Sequence, residues 1–263
     1  TNCPGCNANS VGQYIHSCLL LLEKEKGYNL SKTTVGLVGV GHVGHAVIEA
    51  IRPLGVQILL NDPPQKEALR KAGKPHEFFL KMEELQEKCD IISFHTPLIT
   101  KGPYPTFHLA NKTFFNALKK QPIIINTSRG AVVDNTDVLQ ALKDGIIRDA
   151  IIDTWENEPN INQELLNLIY IGTPHIAGYS ADGKANATRM ALTALCNHFH
   201  LPVTFQIRVP QLPEEELPEP NLTETERALV LYNPHTDSLK LKSHPTMFEE
   251  LRGNYPLRRE FIE

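Results

Sequence analysis

The sequence predicts an α/β fold with a doubly wound parallel sheet. Short apolar runs alternate with helical patterns along most of the chain, as in successive βαβ units. A glycine-rich turn also joins the first run to a helix. The strand-like runs cover residues 35–38, 56–61, 89–94, 123–126, 150–153 and 169–171. Because ligands collect at the carboxyl ends of the strands in such a sheet, we expect the site residues to follow these runs.

Helical patterns lie between and around the strand-like runs. The spacing of apolar residues predicts helices over residues 8–25, 46–54, 81–88, 111–119, 134–143 and 185–200. Asp134 is the expected N-cap of its helix. A proline-rich, acidic connection follows between residues 202 and 220, and a small separate unit begins at about residue 222.

Composition restricts the function classes. The chain has 263 residues, 41% of them hydrophobic, which is enough for a real core in one large or two modest domains. The net charge of -4 gives no general attraction to nucleic acid or to a membrane. No segment resembles a signal peptide or a membrane span, so we expect a cytoplasmic protein. Cys3 and Cys6 lack two further zinc ligands, so reduced thiols are a better interpretation than a functional pair.

The glycine turn predicts a dinucleotide site. Gly39 permits the tight turn, Gly41 lets the backbone approach a pyrophosphate, and Gly44 lets the helix pack close to the sheet. The helix N-terminus then faces the phosphates. Asp62 follows the second run, where it can accept hydrogen bonds from a ribose 2′-hydroxyl and would repel a 2′-phosphate. This pattern favours NAD over NADP, and the alternative is a glycine turn packed only for structure.

Three polar residues follow later runs and form a candidate catalytic set. Arg129, Glu158 and His175 each have an ordinary structural interpretation when taken singly. Together they suit the oxidation of an alcohol next to a carboxylate. Histidine can take the hydroxyl proton because its ordinary pKa lies near neutrality, and a paired glutamate supports the imidazolium. Arginine binds carboxylates with two parallel hydrogen bonds.

The motifs around these residues resemble those of the D-isomer-specific 2-hydroxyacid dehydrogenase family. The shared marks are the glycine turn, Asn126-Thr-Ser-Arg-Gly130, Asp153 with Glu158-Pro159, and Pro174-His175. The resemblance implies that Arg129 binds the substrate carboxylate, His175 is the acid-base, and Glu158 orients it. It also implies that Tyr179 contacts the substrate and its phosphate. The implied cofactor is NAD, bound by Gly39, Gly41, His42, Val43, Gly44, Asp62, Thr96, Thr127, Ser128, Arg129, Asp153 and Gly178.

Further motifs match one branch of that family. They are Gly5-Cys-Asn-Ala8, Asn61-Asp-Pro-Pro64, Phe94-His-Thr-Pro-Leu98, Lys101-Gly-Pro-Tyr104 and His175-Ile-Ala-Gly-Tyr179. This branch oxidises 4-phospho-D-erythronate, a phosphorylated 2-hydroxy acid, in pyridoxal 5′-phosphate biosynthesis. The alternatives are a phosphoglycerate or hydroxypyruvate/glyoxylate enzyme of the same family, and a non-enzymatic NAD-sensing binding protein.

The resemblance also implies a division of the chain. Residues 1–30 are the remnant of a substrate domain with an interdomain helix, 31–175 the NAD-binding domain of Rossmann type, and 176–205 a returning helix of the substrate domain. The resemblance implies that residues 206–263 form a small α+β domain that makes a homodimer. From about residue 222 the apolar residues of this segment need a partner surface, which is either a second copy or, as the alternative, the chain's own core. These residues are Leu229, Val230, Leu231, Leu239, Leu241, Phe248, Leu251 and Phe261. Family members carry more of the substrate domain upstream, so we expect the residues that grip the substrate from the other side of the cleft to lie outside this sequence.

Overall fold

The computed structural model describes residues 2–260 and contains the predicted sheet. Six parallel strands lie in the order β2-β1-β3-β4-β5-β6. Their bounds are β1 Thr34–Val38, β2 Gln57–Asn61, β3 Ile91–Phe94, β4 Ile123–Asn126, β5 Asp149–Ile152 and β6 Ile171–Gly172. The chain moves from β1 to one side for β2 and then to the other side for β3. A doubly wound sheet is therefore confirmed, and its strand order reverses between β1 and β3, where a ligand crevice is expected.

The strand register brings the candidate site residues to one edge. Val38 at the end of β1 is level with Asn61 of β2 and with Phe94 of β3. Phe94 is in turn level with Asn126 of β4, which is level with Ile152 of β5. Since the strands are parallel and end together, the residues that follow them meet at the same carboxyl edge.

Eleven α-helices surround the sheet within residues 2–260. Their bounds are α1 Ala8–Lys26, α2 His42–Ile51, α3 Pro63–Lys71, α4 Met82–Lys88, α5 Lys112–Asn116, α6 Asn135–Lys143, α7 Gln163–Leu168, α8 Ala181–His198, α9 Glu224–Leu231, α10 Pro234–Ser243 and α11 Phe248–Gly253. The predicted N-cap is confirmed, since the Asp134 side chain accepts from the N–H groups of Thr136 and Asp137. Helix α8 begins earlier than predicted because the Ser180 side chain caps it.

Two hydrophobic clusters hold these layers together. The first packs α1 and α2 against one part of the sheet, and Tyr14, Leu19 and Leu22 of α1 are fully buried in it. The second contains strand side chains such as Phe94 and helix side chains such as Phe115. Helix α1 is buried over most of its length, because it packs on α2 and on the C-terminal helices α9 and α10.

The C-terminal unit differs from two expectations. Residues 206–260 contain helices and no strand, so the expected α+β character is wrong. Leu239 and Leu241 lie in α10, which Pro234 starts and the Asn233 side chain caps. Leu229, Leu241 and Phe248 are buried against the chain's own core, because α10 packs on β6 and α9 on α1. These three side chains need no second copy of the chain, whereas Phe261 lies outside the described residues.

Some apolar side chains of this end of the molecule are nevertheless exposed. Val230 and Leu239 are each more than half exposed, and so are four residues at and after the end of α8: Leu195, Phe199, Leu201 and Val203.

No helix of residues 2–260 is both long and apolar enough to cross a membrane. In the same range, no three or more His, Cys, Asp or Glu side chains are grouped so as to hold a metal ion. Cys6, Cys18, Cys89 and Cys196 are free thiols.

Candidate active site

The glycine turn has the geometry that its spacing predicts. Gly39 has φ +90, and a Cβ at this position would lie 2.8 Å from the carbonyl oxygen of His95. A Cβ at Gly44 would lie 2.4 Å from the Gly39 carbonyl oxygen, so a larger residue would push α2 away from the turn. Gly41, the N-cap of α2, has nothing within 4 Å of an added Cβ and leaves open space at the helix N-terminus. The exposed His42 and the half-buried Val43 begin the first turn of this helix.

Asp62 does more than the sequence predicts. One carboxylate oxygen accepts from the Val40 N–H at 2.8 Å and from the Gln65 side chain at 2.9 Å. The other accepts from the Gln65 N–H at 2.9 Å, which caps α3. Asp62 therefore fixes the glycine turn and starts α3, a helix that the sequence analysis missed. A carboxylate offers about four acceptor positions, so one remains for a ribose hydroxyl.

A buried histidine supports the turns after β3 and β4. His95 Nε2 lies 2.9 Å from the Ser93 hydroxyl, and Nδ1 lies 3.3 Å from the Thr127 hydroxyl. Burial lowers the pKa of His95 to about 3, so this imidazole is neutral in the folded protein. The neighbouring Thr96 has a buried hydroxyl with no hydrogen-bond partner among the described residues. Thr96 lies beside the glycine turn, since its methyl group would be 2.9 Å from a Cβ at Gly39, and Thr127 is joined to this region through His95.

Asn126 shapes the turn that presents Arg129. Its side-chain oxygen accepts from the N–H and the hydroxyl of Ser128, at 3.1 and 2.8 Å. Its side-chain nitrogen donates to the Arg129 carbonyl at 3.1 Å. A Cβ at Gly130 would lie 1.8 Å from the Trp155 carbonyl oxygen, so the backbone approaches the next loop closely. Arg129 itself is exposed, and its guanidinium donates to the Ser128 carbonyl.

Glu158 and His175 form a pair in the structure. His175 Nδ1 lies 2.8 Å from one Glu158 carboxylate oxygen, and the other oxygen accepts from the Trp155 N–H at 2.8 Å. This second bond fixes the glutamate in its loop after β5. Since Nδ1 faces the carboxylate, Nε2 is the ring nitrogen left for another partner, and it has none among residues 2–260. A histidine held in this way can accept a proton at Nε2 and share the positive charge with Glu158.

Asp153 anchors the loop that carries His175. Its carboxylate is 1% exposed and accepts from the Thr173 hydroxyl at 2.7 Å. It also accepts from the N–H groups of Ile176 and Ala177, at 2.7 and 3.0 Å. Burial raises the pKa of the Asp153 carboxyl, and these hydrogen bonds partly offset that effect. The side chain predicted to lie near the nicotinamide therefore makes its hydrogen bonds to the loop that carries His175.

The last two predicted residues follow in the same loop. The Gly178 carbonyl accepts from the Asn7 side chain at 3.3 Å, and a Cβ at Gly178 would lie 2.3 Å from that side chain. Tyr179 is half-buried, with the Lys184 ammonium 5.1 Å and the Arg252 guanidinium 5.8 Å from its ring centroid. Asn7, directly before α1, therefore contacts this loop, and two cationic side chains lie near the ring of Tyr179.

Comparison with known proteins identifies the family. The model of the D-isomer specific 2-hydroxyacid dehydrogenase NAD binding domain matches residues 19–177. The chain belongs to the D-isomer specific 2-hydroxyacid dehydrogenase family. Within the matched range lie the glycine turn, Arg129, Glu158 and His175. The predicted Rossmann-type, NAD-binding fold of this family is thereby confirmed.

Individual proteins to which this dehydrogenase is similar support the assignment to the family. It is 51% identical to an erythronate-4-phosphate dehydrogenase of Bacteroides fragilis, over 99% of this chain and 73% of that protein. It is 41% identical to the enzyme of the same name from Porphyromonas gingivalis, over 98% of this chain and 70% of that protein. A solved D-lactate dehydrogenase from Aquifex aeolicus, complexed with NAD and lactic acid, shares its fold with a TM-score of 0.60 at 22% identity. That likeness covers 73% of this chain and 67% of the other.

The cofactor of this 2-hydroxyacid dehydrogenase is NAD, and the residues present fit it. The open space above Gly41 leaves room for a pyrophosphate against the first N–H groups of α2. The unpartnered hydroxyl of Thr96 is a buried polar group that a ligand can satisfy.

The residues that support the site were not assigned a role from the sequence, whereas the candidate catalytic residues were. Asn126 was part of a quoted motif, but its role in shaping the Arg129 turn depends on side-chain hydrogen bonds. His95 and Asn7 also belonged to quoted motifs. Their positions after a strand and before a helix were the available signals.

Proposed function

We propose that this protein oxidises 4-phospho-D-erythronate to 2-oxo-3-hydroxy-4-phosphobutanoate, with NAD⁺ reduced to NADH, as a step of pyridoxal 5′-phosphate biosynthesis. The 51% identical relative bears the matching name. The observation that carries the proposal is the 2.8 Å contact between His175 Nδ1 and the Glu158 carboxylate, at the sheet edge where the glycine turn lies. It supplies a base beside the cofactor site.

Each side chain has one task in the proposed reaction. His175 takes the proton of the substrate 2-hydroxyl at Nε2, and the C–O bond becomes a carbonyl as the carbon loses a hydride. When bound, NAD⁺ supplies the hydride acceptor. Glu158 accepts from Nδ1 and stabilises the imidazolium that forms. Arg129 has no carboxylate partner among the described residues, and its planar fork binds the substrate carboxylate.

Tyr179 is the proposed contact for the substrate phosphate. A cleft of about 400 Å³ lies beside it, and its lining includes Lys184, Arg208 and Tyr255. Lys184, Arg208 and Arg258 therefore give the cleft lining three cationic side chains. Such a cluster favours a dianionic phosphate over the neutral hydroxymethyl group of glycerate or the methyl group of lactate.

A substrate panel tests the proposal. We expect NADH absorbance to rise fastest, at equal concentrations, with 4-phospho-D-erythronate. A higher kcat/KM with 3-phosphoglycerate, or for hydroxypyruvate or glyoxylate in the reverse direction, would support one of the other family activities. NAD binding without turnover of any of these compounds would support the NAD-sensing alternative.

We further propose a cytoplasmic homodimer in which residues 206–263 take part. The exposed apolar side chains at the end of α8, together with Val230 and Leu239, give a second copy a surface to cover. A closed two-fold dimer is the commonest arrangement that hides such a surface. Light scattering should give the mass of two chains, and a monomer at micromolar concentration would contradict this proposal. The division into domains at residues 30, 175 and 205 likewise stays a proposal.

A further inference from the structure

The C-terminal residues lie against the loop that carries His175. The N–H of Ala181 donates to the Arg258 carbonyl at 2.8 Å, and the N–H of Glu260 donates to the Asp182 carboxylate at 2.9 Å. The buried Glu260 carboxylate accepts from the hydroxyls of Ser10 and Ser180, at 2.9 and 2.8 Å. Residues 258–260, the C-terminal strap, therefore join the start of α1 to the start of α8.

Arg258 occupies the centre of this contact. Arg258 is only 4% exposed, and its guanidinium carbon lies 3.9 Å from the centroid of the Tyr232 ring. The guanidinium donates to the carbonyls of Ile176 and Ala177, at 3.2 and 2.9 Å. It also donates to the Ser10 carbonyl at 2.7 Å and to the Gln13 side chain at 3.1 Å. The hydrogen bonds of this buried guanidinium therefore go mainly to backbone carbonyls, and two of these carbonyls belong to the residues directly after His175.

Asp153 holds the same two residues from the other side. It accepts from the N–H groups of Ile176 and Ala177, while Arg258 donates to their carbonyls. Two oppositely charged side chains, from places far apart in the chain, therefore hold the N–H and carbonyl groups of both residues, and the peptide between Ile176 and Ala177 is bonded by both. His175 itself has φ +57, a left-handed conformation that is uncommon for a non-glycine residue. The two-sided clamp on the next two residues restrains the backbone that follows it.

We propose that Arg258 is a positioning residue for His175. By fixing the carbonyls of Ile176 and Ala177, it keeps the imidazole in register with Glu158 and with the cofactor site. The inference rests on the proposed role of His175 as the acid-base. It makes the C-terminal strap part of the catalytic apparatus through the His175 loop. Arg258 also lines the cleft beside Tyr179, so the amide exchange of the loop, which needs no substrate, is the readout specific to positioning.

The test compares Arg258→Met and Arg258→Lys with Arg259→Met. Arg259 lies in the same strap and pairs with the Asp182 carboxylate at 2.9 Å, but it does not contact the His175 loop. The first readout is hydrogen exchange of the Ile176 and Ala177 amides, which needs neither substrate nor NAD. In Arg258→Met we expect exchange at least about tenfold faster, the change that loss of one charge-assisted hydrogen bond produces. In Arg259→Met we expect both amides to exchange at the parental rate.

The second readout is kinetic. We expect kcat to fall by about 10–100-fold in Arg258→Met with the KM for NAD unchanged, because misplacing a catalytic group costs rate rather than cofactor affinity. Arg258→Lys should recover part of kcat, since an ammonium keeps the charge but not the planar fork. If Arg258→Met does not fold, Arg258→Lys decides, with a smaller loss in the same two readouts.

Two results would overturn the proposal. One is parental amide exchange and parental kcat in both Arg258 variants. The other is an equal loss in Arg259→Met, which would mean that docking of the strap matters and the guanidinium does not. If the parent turns over none of the substrates tested, the proposed function fails, and the amide exchange still decides whether Arg258 clamps the loop.

Discussion

The Glu158 carboxylate lies 2.8 Å from Nδ1 of His175, while the neighbouring Glu156 binds a different histidine, His108, at 2.7 Å. Two glutamates two positions apart thus serve separate partners. This arrangement provides a matched control for the proposed catalytic pair.

Glu158→Gln should reduce turnover without reducing NAD affinity. The amide can still accept from Nδ1, but it cannot neutralise the imidazolium, so we expect kcat to fall at least about tenfold. Steady-state NADH formation and a binding titration with NAD measure the two quantities. Glu156→Gln should leave kcat near the parental value, and an equal loss in both variants would contradict the assigned pair.

Arg129→Lys should raise the KM for the substrate and lower kcat/KM. A lysine supplies a point charge in place of two parallel N–H donors, so we expect a loss of about 10-fold or more in kcat/KM. The control is Arg148→Lys, which should leave kcat/KM unchanged. Arg148 lies at the amino end of β5, away from the carboxyl edge of the sheet, with its guanidinium over the Tyr28 ring. Unchanged kcat/KM in Arg129→Lys would show that the carboxylate is bound elsewhere.

Asp62→Ala should narrow the preference for NAD over NADP. The carboxylate repels a 2′-phosphate and accepts from a 2′-hydroxyl, so the parent should bind NAD at least about tenfold more tightly. Because Asp62 also bonds the Val40 N–H and caps α3, the variant should lose stability as well. Gln65→Ala removes the side-chain bonds to the Val40 carbonyl and to the Asp62 carboxylate but keeps the charge of Asp62. It should keep the parental NAD to NADP ratio, and equal affinity of the parent for both cofactors would disprove the role of Asp62.

His95 should make the protein less stable in mild acid. Burial lowers its pKa from 6.5 to about 3, so below pH 6.5 the unfolded chain binds a proton that the folded protein does not. The contribution is fully present above pH 6.5 and is lost as the pH falls from 6.5 towards 3. Between pH 7 and pH 5 this single group should cost about 2 kcal/mol of unfolding free energy.

Urea unfolding at the two pH values measures that loss. His95→Gln keeps polar groups for Ser93 and Thr127 but does not titrate, so its loss between pH 7 and pH 5 should be smaller by that amount. His198→Gln, at an exposed position, should behave like the parent. The same pH dependence in His95→Gln and the parent would contradict a buried neutral imidazole.

The sequence was sufficient to predict the parallel sheet and to place the candidate site residues after its strands. Apolar runs of β-branched residues such as Ile123–Asn126 can be buried on both faces, and polar residues directly after them must then meet at one edge. Helix α3 was missed because Asp62 was interpreted only as a ribose ligand, although a residue followed by Pro63 also suits an N-cap. The burial of Leu241 and Phe248 could not be predicted, since it depends on how α10 packs against β6.

The contact between Arg258 and the His175 loop was equally inaccessible. The two segments are separated by 82 residues in the hydrogen bond to Ile176, and no local pattern marks an arginine that will be buried. Long-range contacts of this kind follow from the packing of the whole chain and leave no periodic signal in the sequence.

The most direct test of the central claim is NADH formation from 4-phospho-D-erythronate by the parent and by His175→Gln. The parent should oxidise this compound with a higher kcat/KM than 3-phosphoglycerate. The variant should lose about 10²–10⁴-fold in kcat while binding NAD with parental affinity, because the imidazole acts on the substrate hydroxyl. Parental turnover by His175→Gln, or a parent that prefers 3-phosphoglycerate, would contradict the account.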